Sequence, residues 1–510
     1  MIPVIIIFTF TVMFFSIGPF GAFPLNDDWI YALAALKTAE HFHFAVPGPQ
    51  LVWAIPQTIF GAMCFKIFGF SHFYLRILTF LTAVAGLIGF DQLLLLRKVR
   101  KHARLLANLC LIGFFPFLPL AASSMSDIYF FSLWIYACLA FEIAFKTDQN
   151  KMWVIGSLLI MLCSLERQFG IVLAAAVLVY GCVLKSTSLR KVILIVILPM
   201  IITGMMMILW RYFPHALKVP LFQYPSVQQR VGNLFCVLLY LGTGVFPFVL
   251  ASWNWKVKRF PVGLMVGFFL IMSGTWLIAP WNFRADISGG GMPFFGNLLS
   301  RYGFFMQGEV LQGFREILFG ERFWKFYSLL GIIGAVFISF ELWRLKRDWF
   351  KDWSFTGLAS MLYLAVIIII RNPLFDRYLL PVLAGLLLYL AASLPVPSFR
   401  MNRVLSIAGA LCFIFFSTLL TQDYFRWNEA KWTAANWAVA QGHQALSIDG
   451  GYEWTGWHKY LDPQPDENNH SEKIIISFSE LENTTIMKKF PYESWMRKGH
   501  LFCLMKNSSK

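Results

Sequence analysis

The chain has 510 residues, of which 58% are hydrophobic, 17% aromatic and only 14% charged, with a mean hydropathy of +0.62. An ordinary soluble domain carries roughly 25% charged residues, so the composition excludes a water-soluble globular protein and points to an all-α polytopic membrane protein. The formal net charge of +16 would suit nucleic acid if it were gathered on one domain; the basic residues are instead strung between hydrophobic spans, where they report topology, and no nucleic-acid partner is expected.

Apolar stretches long enough for a bilayer, about 20 residues each, recur from the N-terminus to about residue 421. Helices are expected near 3–23, 72–96, 105–122, 128–145, 152–165, 169–184, 192–210, 232–252, 261–279, 323–343, 354–370, 378–394 and 404–421, about thirteen in all. The first reads as an uncleaved helix, because no Lys or Arg precedes it and no A-x-A-like site follows. Basic clusters at Arg97 to Arg104, Lys146 and Lys151, Lys185 to Lys191, Lys256 to Arg259, Arg344 to Lys351, and Arg400 and Arg403 fall two crossings apart. Placed on the cytoplasmic side, they put the N-terminus inside and the hydrophilic tail outside. The eight cysteines show no disulfide or zinc framework, and there is no HExxH and no P-loop.

The segment "FPLNDDWIYALAALK" places Asp27 and Asp28 just after the first span, with Asn26 as the expected N-cap. It and "QLVWAIPQTIFGAMCFKIFGF" read as amphipathic helices along the outer surface. The next outer turns bring Asp127 in "SSMSDIYF", Glu166 and Arg167 in "LERQFG", and Arg211, His215, Lys218 and Arg230 around residues 211–230. A Gly-rich stretch over 280–322 and "RNPLFDRYLLP", with Arg371, Asp376 and Arg377, complete that face. Each position has a bland reading: an acid at a helix start is usually a cap, a terminal Arg such as Arg76 or Arg371 commonly snorkels, and Glu166 with Arg167 can form a buried structural pair. Their convergence on one face favours a site instead, with acids able to act as a base beside cations that suit an anionic lipid head group.

The pattern "DDWIY", with Asp27, Asp28 and Tyr31, resembles the acidic motif that follows the first helix in the GT-C superfamily of membrane glycosyltransferases, and within it the family 39 branch of protein O-mannosyltransferases and aminoarabinose transferases. "FGFSHFYLRILTF", containing Arg76, "SMSDIYFFSLW" and "FDRYLLPVLAGL" are similar to further segments of that family, in the same order. The resemblance implies that Asp27 is the general base, with Asp28 beside it where many members have Glu, although the residues themselves leave open which of the two is the base, since helical neighbours point about 100° apart; that Asp127 is a second acid positioning the substrate or the base; and that Arg377 and Tyr378 lie near the lipid phosphate. Some members bind a divalent metal; the sequence offers no convincing ligand set, which leaves a metal at His215 a guess and no cofactor certain. With Tyr31, Arg76, Arg167 and Arg371 these form the candidate site.

The implied reaction moves a sugar from a polyprenyl-phosphate donor to a hydroxyl of a lipid, glycan or protein acceptor, with inversion, at the extracytoplasmic face of the cytoplasmic (inner) membrane. A flippase or transporter of lipid-linked sugars, and a polysaccharide ligase or polymerase, are the rival classes. The first should place ionisable groups at mid-span, and the second should rely on Arg and His in one large outer loop. After about residue 422 the composition turns to Trp, charge and turn signals. The expected division is a transmembrane domain over 1–421 and an extracytoplasmic mixed α/β domain over 422–510, in which "KIIISFSE" and "HLFCLMK" pair as strands.

Overall fold

A computed structural model describes residues 1–185, 187–213, 226–252, 298–305, 310–344, 354–370, 374–394, 400–461 and 474–507, together with isolated helical residues between 266 and 270. Expectations for Arg371, His215, Lys218, the Gly-rich 288–291 run and most of the 261–279 span lie outside these residues. Among the described residues, seven helices are long and apolar enough to cross a membrane, and four more are apolar but shorter. The chain is an integral membrane protein.

The helices follow in order as α1 (Ile2–Ser16), α2 (Asp28–His41), α3 (Ile55–Phe68), α4 (His72–Leu96), α5 (Lys101–Gly113), α6 (Phe117–Ala121), α7 (Ser126–Thr147), α8 (Asn150–Glu166), α9 (Val172–Leu178), α10 (Leu189–Leu209) and α11 (Val227–Ser252). After a two-residue hairpin of β1 (Leu299–Ser300) and β2 (Gly303–Phe304) come α12 (Gly320–Arg344), α13 (Phe355–Ile370), α14 (Leu380–Ser393), α15 (Arg400–Ala440) and α16 (Tyr452–Leu461).

Several elements depart from expectation for local reasons. The first helix stops at Ser16 rather than 23, because Gly18 takes a left-handed φ of +68° and Pro19 follows it. The 105–122 stretch divides into α5 and α6 around Pro116, which has no N–H to give to a continuing helix. In place of a span ending at 421, α15 runs unbroken for 41 residues through the expected domain boundary. Helix α2 does not lie on a surface: every residue from Asp28 to Ala35 is buried, with α3 on one side and α16 of the C-terminal segment on another. Only α3 shows the expected two faces, with Ile59, Phe60, Met63 and Ile67 exposed and Thr58, Gly61, Ala62 and Phe65 buried.

The C-terminal segment forms a four-stranded sheet in the order β3 (Ile448–Asp449), β4 (Ile474–Ser477), β6 (Lys498–Lys506), β5 (Thr484–Glu493). The two strands expected from sequence pair antiparallel, with Ile476 opposite Cys503. The sheet is fastened to α15 through Asp423, which accepts hydrogen bonds from Arg497 Nη2 at 2.9 Å, Arg315 Nη2 at 2.7 Å and Ser494 Oγ at 2.9 Å. A carboxylate satisfied by two guanidinium groups and a hydroxyl joins three separate parts of the chain.

Candidate active site

The loop from Ile17 to Asp27 positions the site, and Arg76 positions the loop. Its guanidinium is fully buried near the start of α4 and donates to the carbonyls of Pro19 (3.1 Å), Gly21 and Phe23. The side rings of Phe23 and Phe425 lie 5.0 and 5.1 Å from it. The structure thus uses Arg76 as a clamp on the backbone leading to Asp27, away from the other candidate cations. Asn26, expected to cap α2, instead has a φ of +48°, and Asp27 occupies the capping position without a side-chain cap bond.

The two adjacent acids are placed differently. Asp28 is buried, and its Oδ1 accepts the Ser124 N–H at 2.8 Å while Oδ2 accepts the Leu25 N–H at 3.3 Å. It therefore ties the start of α2 to the loop before α7. Burial pushes its carboxyl from 3.8 up to about 7, against the opposing pull of Arg76 and the two N–H groups. Asp27 keeps a quarter of its side chain exposed, with Arg377 Nη1 3.4 Å from Oδ2 and the Tyr452 hydroxyl donating to Oδ1 at 3.3 Å. Consecutive helical residues point about 100° apart, and this rotation gives one acid to the scaffold and the other to an open surface.

Arg377 connects Asp27 to the second acidic loop. Its Nη1 is also 3.8 Å from Asp127 Oδ2, and Asp127 Oδ1 accepts from Arg167 Nη1 at 2.6 Å. Asp127 stands in the first turn of α7 yet faces Arg167, and the N-cap of that helix, Met125, makes no side-chain cap bond. Arg167 Nε donates to Ser126 Oγ at 3.1 Å, and Ser126 Oγ lies 3.4 Å from the Tyr31 hydroxyl. Tyr378 completes the group, its ring 5.3 Å from the Arg167 guanidinium and 5.9 Å from that of Arg377. Asp376 sets the position of Arg377 by accepting the backbone N–H groups of Leu298 (3.2 Å), Leu299 (3.1 Å) and Arg377 itself (2.8 Å).

Asp27, Asp127, Tyr31, Arg167, Arg377 and Tyr378 are thus brought together; Asp28 and Arg76 support them from behind, and Arg371 lies outside the described residues. Glu166 does not pair with Arg167. Its Oε2 accepts the Gln57 N–H at 3.1 Å, and its carbonyl accepts the Ala54 N–H at 3.0 Å, so it supplies the start of α3 with acceptors from another helix. Sequence reasoning missed Tyr452, which reaches Asp27 from a point 425 residues further along the chain. It also missed the lock behind it: Glu453 Oε1 accepts the Asn26 N–H at 3.0 Å, and its Oε2 pairs at 2.8 Å with the buried Lys431 of α15. Only the run "GGYEW" marks these residues in the sequence, and it carries no helical or strand period.

The cluster is incompletely satisfied. Two acids face two guanidinium groups, so their formal charges cancel, yet Asp127 Oδ2 and Arg377 Nε are buried without a hydrogen-bond partner. Both Arg377 contacts to carboxylates are long, at 3.4 and 3.8 Å, against 2.6 Å for Arg167. A guanidinium so held retains donors for an incoming anion. Among the described residues there is no group of three or more His, Cys, Asp or Glu side chains arranged to hold a metal ion.

The sequence matches no protein-family profile and no curated protein. The chain is similar to two crystal structures of ArnT from Cupriavidus metallidurans, one bound to undecaprenyl phosphate and one in the apo state, at 13% identity in each case, with TM-scores of 0.42 and 0.43. These alignments cover 98% of this chain and 97% of ArnT. It is also similar, at 15% identity and a TM-score of 0.47, to the apo oligosaccharyltransferase of Archaeoglobus fulgidus, over 94% of this chain and 61% of that one.

Proposed function

We propose that the protein is a membrane glycosyltransferase that moves a sugar from a polyprenyl-phosphate donor to the hydroxyl of a lipid, glycan or protein acceptor. The observation that carries this reading is the setting of Asp27: a partly exposed carboxylate at a helix start, making no cap, with a loosely held arginine on one oxygen and a hydroxyl on the other.

Arg377 and Arg167 bind the donor phosphate. As the phosphate draws Arg377 toward itself, Asp27 loses its nearest cation and becomes available as a base. Asp27 takes the proton from the acceptor hydroxyl while the acceptor oxygen forms a bond to the anomeric carbon. The bond from that carbon to the phosphate oxygen breaks, its electron pair stays on the phosphate, and the configuration inverts. Positioned proton removal contributes about a hundred- to ten-thousand-fold. Arginines aimed at the departing phosphate stabilise its charge most strongly where water is scarce. Tyr31, Ser126 and Tyr378 hold Arg167 and Arg377 in place. Asp28, with both oxygens committed to backbone N–H groups, is a positioning residue.

The same reading places the protein in the cytoplasmic membrane with the site on the extracytoplasmic face. Helix α4 has 25 residues, a length of about 38 Å, enough to span the hydrocarbon core. Arg76 near its start adjoins the site, whereas its far end opens into the basic run Arg97, Lys98, Arg100 and Lys101, the side expected to be cytoplasmic. Residues 1–421 then act as the transferase domain, and 422–510 as an outer domain that contributes to the site. A transporter would be expected to place its ionisable groups at mid-span, and here the acids stand at helix ends.

The test uses purified full-length protein and a panel of polyprenyl-phosphate sugars, following loss of the lipid-linked sugar in wild type and Asp27→Asn. Consumption by wild type and its loss in the variant is the expected result. Equal consumption by both removes Asp27 from the base role, and no consumption by either on the whole panel overturns glycosyl transfer.

A further inference from the structure

The carboxylate of Asp27 has two chemically different sides. Oδ2 faces the guanidinium of Arg377, and through it the cluster in which a phosphate is expected to sit. Oδ1 faces the phenol of Tyr452, which is 41% exposed where the neighbouring Tyr31 and Tyr378 are each only 6% exposed. On the Oδ1 side, then, a partly exposed hydroxyl of the chain itself stands against the carboxylate.

The phenol is firmly carried but weakly bound. Its backbone is fixed one residue away, where Glu453 takes the Asn26 N–H and the Lys431 ammonium in a buried pair. Its ring meets Trp29 edge-on at 5.9 Å, and Trp29 stacks on Tyr460 of the same helix at 5.7 Å. The approach is close: a Cβ added at Gly456 would fall 2.4 Å from the Trp29 ring, so α16 presses against α2. The bond from the phenol to Asp27, by contrast, is 3.3 Å long, outside the usual 2.5–3.0 Å range for O–H donors. Partial burial and the neighbouring Asp27 carboxylate push the Tyr452 phenol up, so it remains a protonated donor.

We propose that the Tyr452 hydroxyl occupies the acceptor-hydroxyl position of the resting enzyme, and that the acceptor enters between α16 and Asp27 by displacing it. This deepens the glycosyl-transfer reading and rests on it. A hydroxyl from the protein's own chain stands where an acceptor hydroxyl would stand, donating to the same oxygen. It is displaceable because the contact is long and partly exposed, and it returns to the same place because its helix is locked. The arrangement keeps water from Oδ1 while the donor waits, and it selects acceptors that offer a hydroxyl able to replace a phenol at a carboxylate.

Tyr452→Phe removes the hydroxyl and keeps the ring on Trp29. With a donor that wild type consumes, and with water and glycerol as the acceptor probes, the variant should hydrolyse the lipid-linked sugar about five-fold faster, the size of one net hydrogen bond. Its KM for glycerol should fall by a similar factor while kcat stays unchanged. A lower kcat at unchanged KM would mean that Tyr452 orients Asp27, and unchanged hydrolysis with unchanged KM would mean that it plays no part; either result overturns the proposal. Tyr452→Ala, which also removes the ring, should hydrolyse at least as fast as the Phe variant, and a slower rate counts against the proposal. Wild type that consumes no donor overturns the underlying reading and this inference together, a failure distinct from active wild type with an indifferent variant.

Discussion

Two clusters of acids and arginines stand at opposite ends of α4, and they are built differently. At the end near Arg97, Asp91 accepts from Arg104 Nε at 2.6 Å, from Arg104 Nη2 and from Asn108 at 3.2 Å, while Glu142 pairs with Arg97 at 2.6 Å and accepts from the Thr356 N–H and hydroxyl, each at 3.1 Å. Each carboxylate oxygen there has a partner, although the amide oxygen of the neighbouring Asn108 has none. At the Asp27 end, Asp127 Oδ2, a carboxylate oxygen, and Arg377 Nε have no hydrogen-bond partner, and Arg377 stands 3.4 and 3.8 Å from its two carboxylates. A buried pair that is fully hydrogen-bonded is a structural joint. One that leaves donors and acceptors unused in a partly open place keeps the capacity to bind something else, at a cost of about 1–3 kcal/mol for each unsatisfied group.

That contrast can be broken or sharpened by substitution. The largest effect is expected from Asp27→Asn, which should lower transfer by about a hundred- to ten-thousand-fold with the melting temperature held close to that of wild type. Arg377→Gln should cost about a hundred-fold or more in kcat, measured with the same lipid-linked donor, since under the proposed function it removes a donor facing the developing phosphate charge. Its counterpart at the other end, Arg104→Gln, should leave kcat unchanged and lower stability by about 3 kcal/mol, read from denaturation in detergent. If Arg104→Gln abolished transfer without unfolding the protein, the two clusters would not differ as described.

The smallest effect concerns Asp28. Its folded carboxyl titrates near 7, against an ordinary value of 3.8, so between about pH 4 and 7 the folded protein holds a proton that the unfolded chain has released. Its contribution to stability therefore declines as pH rises through that window. Asp28→Asn should flatten the fall in melting temperature between those pH values and should reduce transfer far less than Asp27→Asn does. A steeper fall in the variant would contradict the burial of this carboxyl.

Much of the candidate cluster was legible because polar residues at the ends of apolar spans stand out against them. Asp27, Asp127, Arg167 and Arg377 could be named from that contrast and from the ordered family-like segments, and helix 72–96 was placed at both ends. What escaped the sequence was the direction of each side chain. Arg76 looked like a ligand-binding cation and is spent on three backbone carbonyls. Glu166 and Arg167 looked like partners, but one sits in the last turn of α8 and the other just after it, and they turn to different neighbours. Tyr452 was invisible because the contact depends on how the C-terminal segment docks on α2, which no local period encodes. The boundary placed near 421 followed a change in composition; helix propensity ignores that change, and α15 continues through it.

The length of α15 has a further consequence. A helix of 41 residues measures about 62 Å, roughly twice the thickness of a hydrocarbon core. It works as a gauge rod: its length exceeds what a hydrocarbon core can hold, and its C-terminal half bears Lys431, and through Glu453 the segment that carries Tyr452. The height at which Asp27 meets that segment is therefore set by a rigid length of protein rather than by the bilayer around it. Under the proposed function, an acceptor attached to the membrane would have to offer its hydroxyl at that height, whatever the thickness of the lipid in which it sits.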